Sequence, residues 1–255
     1  MSELEIIKPG DRKHRAITVY GPTGAGKSWF GASGESTLGG RTLILMVEGA
    51  EGGLTGFDVD ISPIAKLEQF NETLRFLKNS KHNYTVGVVD SLSQLQKFGL
   101  ALDSENEFKK GNTKTPLNIP LDSYKRVGED IRRSLWFART IPMHWVFLCL
   151  DRMFTSDDGT IRMIGPSLTE GLSADVRAYS DVVGYLTAEA MDVQKKDGTK
   201  ERQLVRRLWL QSEGNFHARV RVGKGVVVPQ FVVSPTLPKL LNMLDTANAE
   251  GRKAS

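Results

Sequence analysis

Short apolar runs alternate along the chain with longer stretches of helical spacing. Residues 16–20 (AITVY), 42–47 (TLILMV), 85–89 and 145–150 are largely apolar or β-branched, with no regular polar alternation. That is the pattern of strands covered on both faces of a parallel sheet. Between them, Ile64, Leu67, Phe70, Leu74 and Leu77 recur at helical spacing, with Pro63 suited to the first helical turn. A helix is predicted from Ser28 and another over about 92–102, and Val127, Ile131, Leu135 and Ala138 mark a further one. Strand and helix in turn predict an α/β fold, a mainly parallel sheet flanked by helices.

Towards the end the pattern changes. Residues 181–188 and 206–211 read as strands joined through the turn signal Lys195-Lys196-Asp197-Gly198, a C-terminal antiparallel hairpin. Residues 237–247 read as a closing helix and GRKAS as a frayed tail. Two stretches fit no period: residues 103–120, and residues 151–171 with a turn at Asp157-Asp158-Gly159. Both are expected to be long surface loops, which in a compact domain usually carry function. With no repeat and no Pro/Ser-rich linker, residues 1–255 are expected to form one domain, its core at about 15–225 and a C-terminal extension at 226–255.

Composition changes this picture little. The 255 residues are 40% hydrophobic and 25% charged, enough for a core without a disulfide or metal. The single cysteine, Cys149, sits in WVFLCL and reads as a buried strand residue rather than a nucleophile. No apolar run approaches the ~20 residues that span a bilayer. MSELEIIKPGDRKHR lacks the apolar segment of a signal peptide, so a cytoplasmic protein with no membrane partner is expected. A net charge of +4 permits a polyanionic partner without requiring one.

The chemistry concentrates after the first strand. Gly21, Pro22, Thr23, Gly24, Ala25, Gly26, Lys27 and Ser28 match G-x-x-x-x-G-K-[ST], the phosphate-binding P-loop. Its glycines let successive N–H groups face one concavity, Lys27 suits the β- and γ-phosphates, and the Ser28 hydroxyl suits Mg²⁺. Trp29, next on the predicted helix, belongs to the same segment. The expected ligands are ATP and Mg²⁺. YTVGVVD ends at Asp90, placed to hold Mg²⁺ through the water shell. In VEGAEGG, Glu48 and Glu51 follow the second strand, and either could orient the attacking water. A pair of solvated loop carboxylates is the plain alternative.

VVDSLSQL resembles the second nucleotide motif of RecA and RadA recombinases, and LILMVEGAEGG resembles their strand ending in a catalytic glutamate. On that likeness Glu51 is the closer match. The whole chain, over about residues 15–225, resembles the compact RecA-like ATPases of bacteriophages, the Sak-type single-strand annealing group. GLSADVRAYSDVVGYL and RLWLQSEGNFHARVR add to the likeness. The resemblance implies a RecA-like core, ATP hydrolysis, and a role in phage DNA recombination or annealing. It also implies self-association with ATP between subunits, single-stranded DNA as a partner, and a single-strand-binding protein as another. Arg219 and Arg221 match the basic pair that reaches a neighbour's γ-phosphate; an exposed basic strand is the alternative. Leu150-Asp151-Arg152 stands where such proteins often carry an Asn-Gln pair, and the N-terminal domain of longer recombinases is missing.

In RecA-like cores the two long loops face DNA. Here they hold Phe108, Lys109, Lys110 and Lys114, then Arg152, Phe154 and Arg162, the mixture of cations and flat side chains that single-strand binders use. Neighbouring aspartates and glutamates dilute that charge. A nucleotide-dependent switch or helicase-loading factor without turnover is the alternative function; a P-loop small-molecule kinase fits less well.

Overall fold

A computed structural model describes residues 14–35, 38–47, 49, 51–194 and 200–253. The elements run β1 (Ala16–Gly21), α1 (Lys27–Ala32), β2 (Arg41–Met46), a 3-10 turn (Glu51–Leu54), β3 (Val59–Pro63) and α2 (Leu67–Asn79). Next come β4 (Tyr84–Asp90), α3 (Leu92–Lys109), α4 (Leu121–Ala138), β5 (His144–Thr155), β6 (Ile161–Pro166) and α5 (Glu170–Tyr179). The chain ends with β7 (Val182–Gln194), β8 (Lys200–Trp209), β9 (Arg219–Val220), β10 (Phe231–Val233) and α6 (Leu237–Lys253).

The strands form one sheet in the order β10-β8-β7-β1-β5-β4-β2-β3, with β6 paired to β5 and β9 to β7. From β3 to β7 every neighbouring pair is parallel. β8 returns antiparallel along β7, and β10 antiparallel along β8. This is the α/β architecture that the apolar pattern predicts, C-terminal hairpin included.

Successive strand residues feed opposite cores, which is why the runs show no regular polar alternation. Ile17, Val19, Val86, Val88, Val146 and Leu148 pack with Phe30 of α1 and with Leu237, Leu240 and Leu244 of α6. Tyr20, Val89, Phe147 and Cys149 pack on the other face with Phe70, Leu74, Leu92, Ile131, Leu135 and Leu172 from α2 to α5. Both faces are dry, so both parities are apolar.

Several boundaries depart from the sequence expectations. Pro63 closes β3 rather than opening a helix. β3 is the sheet-edge strand, where a residue without an N–H is tolerated. α3 does not stop near residue 102 but runs to Lys109. Its second half is mostly polar, with Leu102 and Phe108 too far apart to form an apolar period. It is held instead by ion pairs, Arg126 to Asp103 (2.7 Å) and Lys109 to Glu105 (2.7 Å). The first expected loop therefore shrinks to residues 110–120, tied back where the Ser104 hydroxyl meets the carbonyls of Pro116 (2.8 Å) and Asn118 (3.1 Å).

The second expected loop, 151–171, is mostly not a loop. β5 continues to Thr155 and β6 returns antiparallel, with Met153 opposite Ile164. The expected turn at Asp157-Asp158-Gly159 is present between them, with Gly159 at φ 81°. Glu48 and the turn signal at residues 195–198 lie outside the described residues. Among the described residues no helix is long and apolar enough to cross a membrane.

Candidate nucleotide-binding site

β1 is buried along its whole length and delivers Gly21 to the carboxyl edge of the sheet. A Cβ at Gly21 would stand 2.1 Å from the Leu186 carbonyl oxygen, so β7 requires glycine here for packing. Gly24 (φ 81°) and Gly26 (φ 97°) take left-handed conformations that favour glycine. They turn the chain sharply enough for α1 to start at Lys27. The Lys27 ammonium folds back into the loop and donates to the carbonyls of Gly21 (2.8 Å) and Pro22 (2.8 Å). It is 9% exposed. Ser28 follows half-buried on the first turn, and Trp29 is exposed with its ring edge-to-face on Phe57 (5.2 Å).

Asp90 ends β4, buried, at the same sheet edge. β5 lies between β4 and β1, with Val89 opposite Phe147 and Gly21 opposite Leu150. Asp90 and the phosphate loop are thus about two strand spacings, ~10 Å, apart. That separation suits a carboxylate that reaches a metal through water. Ser91 caps α3, its hydroxyl accepting from the Gln94 N–H (3.3 Å).

The glycine cradle, the inward lysine and the Ser28–Asp90 pair fit a magnesium nucleotide. Mg²⁺ is usually held by one or two carboxylates together with phosphates, not by a protein cage. Among the described residues no group of three or more His, Cys, Asp or Glu could hold a metal on its own. Ser28 and Asp90 would hold Mg²⁺ with the nucleotide, and the ion would supply charge neutralisation between the phosphates. Lys27 would exchange its carbonyl contacts for charge-assisted ones to phosphate oxygens.

Glu51 opens the 3-10 turn and is exposed, while Leu54 of the same turn packs with Ala25 and Phe30 beside the loop. Arg219 and Arg221 do not reach the phosphate loop of their own chain. Arg219 stands opposite Val183, which is level with Thr18 low on β1. Its guanidinium donates to the Arg177 carbonyl, and that of Arg221 to Ala178. These carbonyls end α5, where a cation opposes the helix dipole. Burial, then the neighbouring Arg221, lowers the Arg219 pKa.

The residues expected to meet DNA fall on separate elements. Phe108 and Lys109 are in α3, and Lys109 pairs with Glu105 (2.7 Å). Lys110 pairs with Glu107 (3.2 Å), and Lys114 is exposed in the shortened loop. Arg152, Phe154 and Arg162 share the β5–β6 hairpin, with Arg152 stacked over the Phe154 ring (5.4 Å) and Met153 exposed beside it. Arg162 lies 3.9 Å from Glu170.

Sequence reasoning misses what ties this hairpin to the phosphate loop. The Tyr20 hydroxyl, next to Gly21, lies 3.0 Å from the Ile164 carbonyl of β6 and 2.7 Å from that of His217. The Tyr20 ring packs on Tyr185 (5.0 Å), which packs on Phe216 (4.8 Å). Tyr185 donates to Asp151 of β5 (3.3 Å). Burial, then the Asp151 charge, pushes the Tyr185 pKa up to about 12, so it stays a donor at neutral pH. Cys149 is fully buried, its thiol pushed up to about 12 by desolvation. As the sequence predicts, it is an inert strand residue.

A strand, glycine loop and helix with an aspartate two strands away define a P-loop nucleotide-binding protein. A family model described as AAA domain matches residues 13–222, and the chain belongs to that P-loop ATPase-type family. No curated protein matches it.

Proposed function

We propose that this protein is a RecA-like ATPase that hydrolyses Mg²⁺-ATP and acts on single-stranded DNA in phage recombination or annealing. One observation carries the DNA part of the reading. β5, the strand between the phosphate loop and Asp90, continues past its parallel neighbours as a ribbon bearing Arg152, Met153, Phe154 and Arg162. Nucleotide chemistry at the base of that strand is therefore linked to a surface at its tip where Arg152, Met153 and Arg162 are exposed, with the Phe154 ring buried beneath Arg152. Phosphates of a single strand would meet the arginines, and its bases the exposed Met153 and the guanidinium plane of Arg152. Lys27 and Ser28 would hold the nucleotide, and Glu51 would orient water. Arg219 or Arg221 would complete a neighbour's site after leaving α5. Further copies of the chain and a single-strand-binding protein are the partners this reading implies.

The test is ATP turnover with and without single-stranded DNA. Stimulation by DNA is expected; turnover indifferent to DNA sinks the reading. A second reading, a nucleotide-dependent switch, draws on the exposed position of Glu51, which no hydrogen bond or ion pair among the described residues holds in place. Binding without turnover in either condition would favour the switch. Phosphoryl transfer to a small acceptor would instead show a kinase.

A further inference from the structure

β8 brings Arg206 against the phosphate loop. Its guanidinium lies over the Trp29 indole, 5.6 Å from the ring centroid. A Cβ added at Gly26 would stand 2.5 Å from Arg206 Nε and 3.0 Å from its Cδ. The side chain is therefore laid flush on the loop backbone. Its Nε is buried and has no hydrogen-bond partner among the described residues. No carboxylate among them pairs with it, whereas adjacent Arg207, on the other side of β8, reaches Glu189 at 3.1 Å. The Arg206 backbone is fixed as well, its carbonyl accepting from the Ser234 N–H (2.9 Å).

A full positive charge with no counter-charge among the described residues, held by an aromatic face beside a loop rich in N–H groups, is electrostatically incomplete. The missing component is an anion. A guanidinium is matched in shape to phosphate oxygens, and a stacked indole orients it without neutralising it. We propose that Arg206 is a phosphate-contacting residue of the nucleotide site, supplied by the same chain from the β7–β8 hairpin and positioned by Trp29. It rests on the reading that the loop binds a nucleotide, and it gives the site a cation that needs no neighbouring subunit. Glycine at position 26 then serves the loop twice, once for its φ and once to admit this side chain.

Binding of ATP, ADP and AMP to the full chain with Mg²⁺, by titration calorimetry, tests it with Lys27→Ala, Arg206→Gln, Arg206→Lys and Trp29→Phe variants. Arg206→Gln is expected to weaken ATP about tenfold or more, and AMP less. Arg206→Lys should recover only part, because it keeps the charge and loses the fork. Trp29→Phe should fall between. Phenylglyoxal labelling of the wild type provides a measurement that needs no variant to fold: ATP should protect Arg206. Equal labelling with and without ATP overturns the proposal. So does an Arg206→Gln protein that binds ATP like the wild type while Lys27→Ala does not. A wild type that binds no nucleotide at all would instead sink the underlying reading, and this proposal with it.

Discussion

At Lys27 one side chain serves two arrangements. It closes its own loop through two carbonyls, and the same donors suit phosphate. Lys27→Ala is expected to lose nucleotide affinity about ten- to hundredfold, the worth of one charge-assisted contact, with the fold intact by circular dichroism. Gly21 behaves differently. Because its missing Cβ makes room for the Leu186 carbonyl, Gly21→Ala should act on stability. A loss of about 1–3 kcal/mol is expected in denaturant unfolding, as for other overpacked sites. His144 adds a pH dependence. Burial, with His14 and Arg15 nearby, pushes its pKa down to about 4 from 6.5. The folded value is below the unfolded one, so the unfolded chain takes the proton first. The stabilisation is complete above about pH 6.5 and is lost as pH falls towards 4. Melting temperatures between pH 7 and 4.5 should fall less steeply in His144→Asn than in the wild type.

Elements with a clear period are legible, and those held by ion pairs or by distant partners are not. α2 and α4 show their buried faces in the sequence, since Phe70, Leu74, Ile131 and Leu135 follow the helical repeat. The second half of α3 shows no such face, and Arg126 of α4 reaches its Asp103 from a position that no local pattern reveals. β6 looks like a loop because its burial rises along the strand, from exposed Ile161 and Arg162 to buried Gly165 and Pro166, instead of alternating. That exposure makes the hairpin a candidate contact surface. Arg152→Ala is expected to reduce stimulation by single-stranded DNA and to lower the salt dependence of DNA binding by about one unit of slope. Fluorescence anisotropy at several salt concentrations measures it. At the end of α5, Arg219 of β9 and Arg221 beside it act first as C-terminal caps. Arg219→Ala should cost about 0.3–1 kcal/mol of stability.

At the scale of the whole molecule, the question is whether one chain completes the site. If Arg219 or Arg221 also serves a neighbour, then Lys27→Ala and Arg221→Ala proteins, each inactive alone, should regain part of the turnover when mixed. An assembly of both contains some interfaces with an intact loop facing an intact arginine. An Arg221→Ala protein that turns over ATP like the wild type would confine Arg221 to capping α5.

The phosphate loop was readable because its function is local. Eight consecutive residues carry their own conformational requirements, and the apolar strand before them needs no distant information. Asp90 was nearly as plain, as the polar end of an apolar run. What lies around the loop was decided only by tertiary structure. Sheet order sets β5 between Asp90 and Gly21, β7 makes Gly21 a packing glycine, and β8 returns Arg206 to Trp29 from far along the chain. Periodicity records which faces are buried, but not which strands become neighbours. For the same reason the loop that the sequence marked most clearly meets a cation that no motif in it predicted.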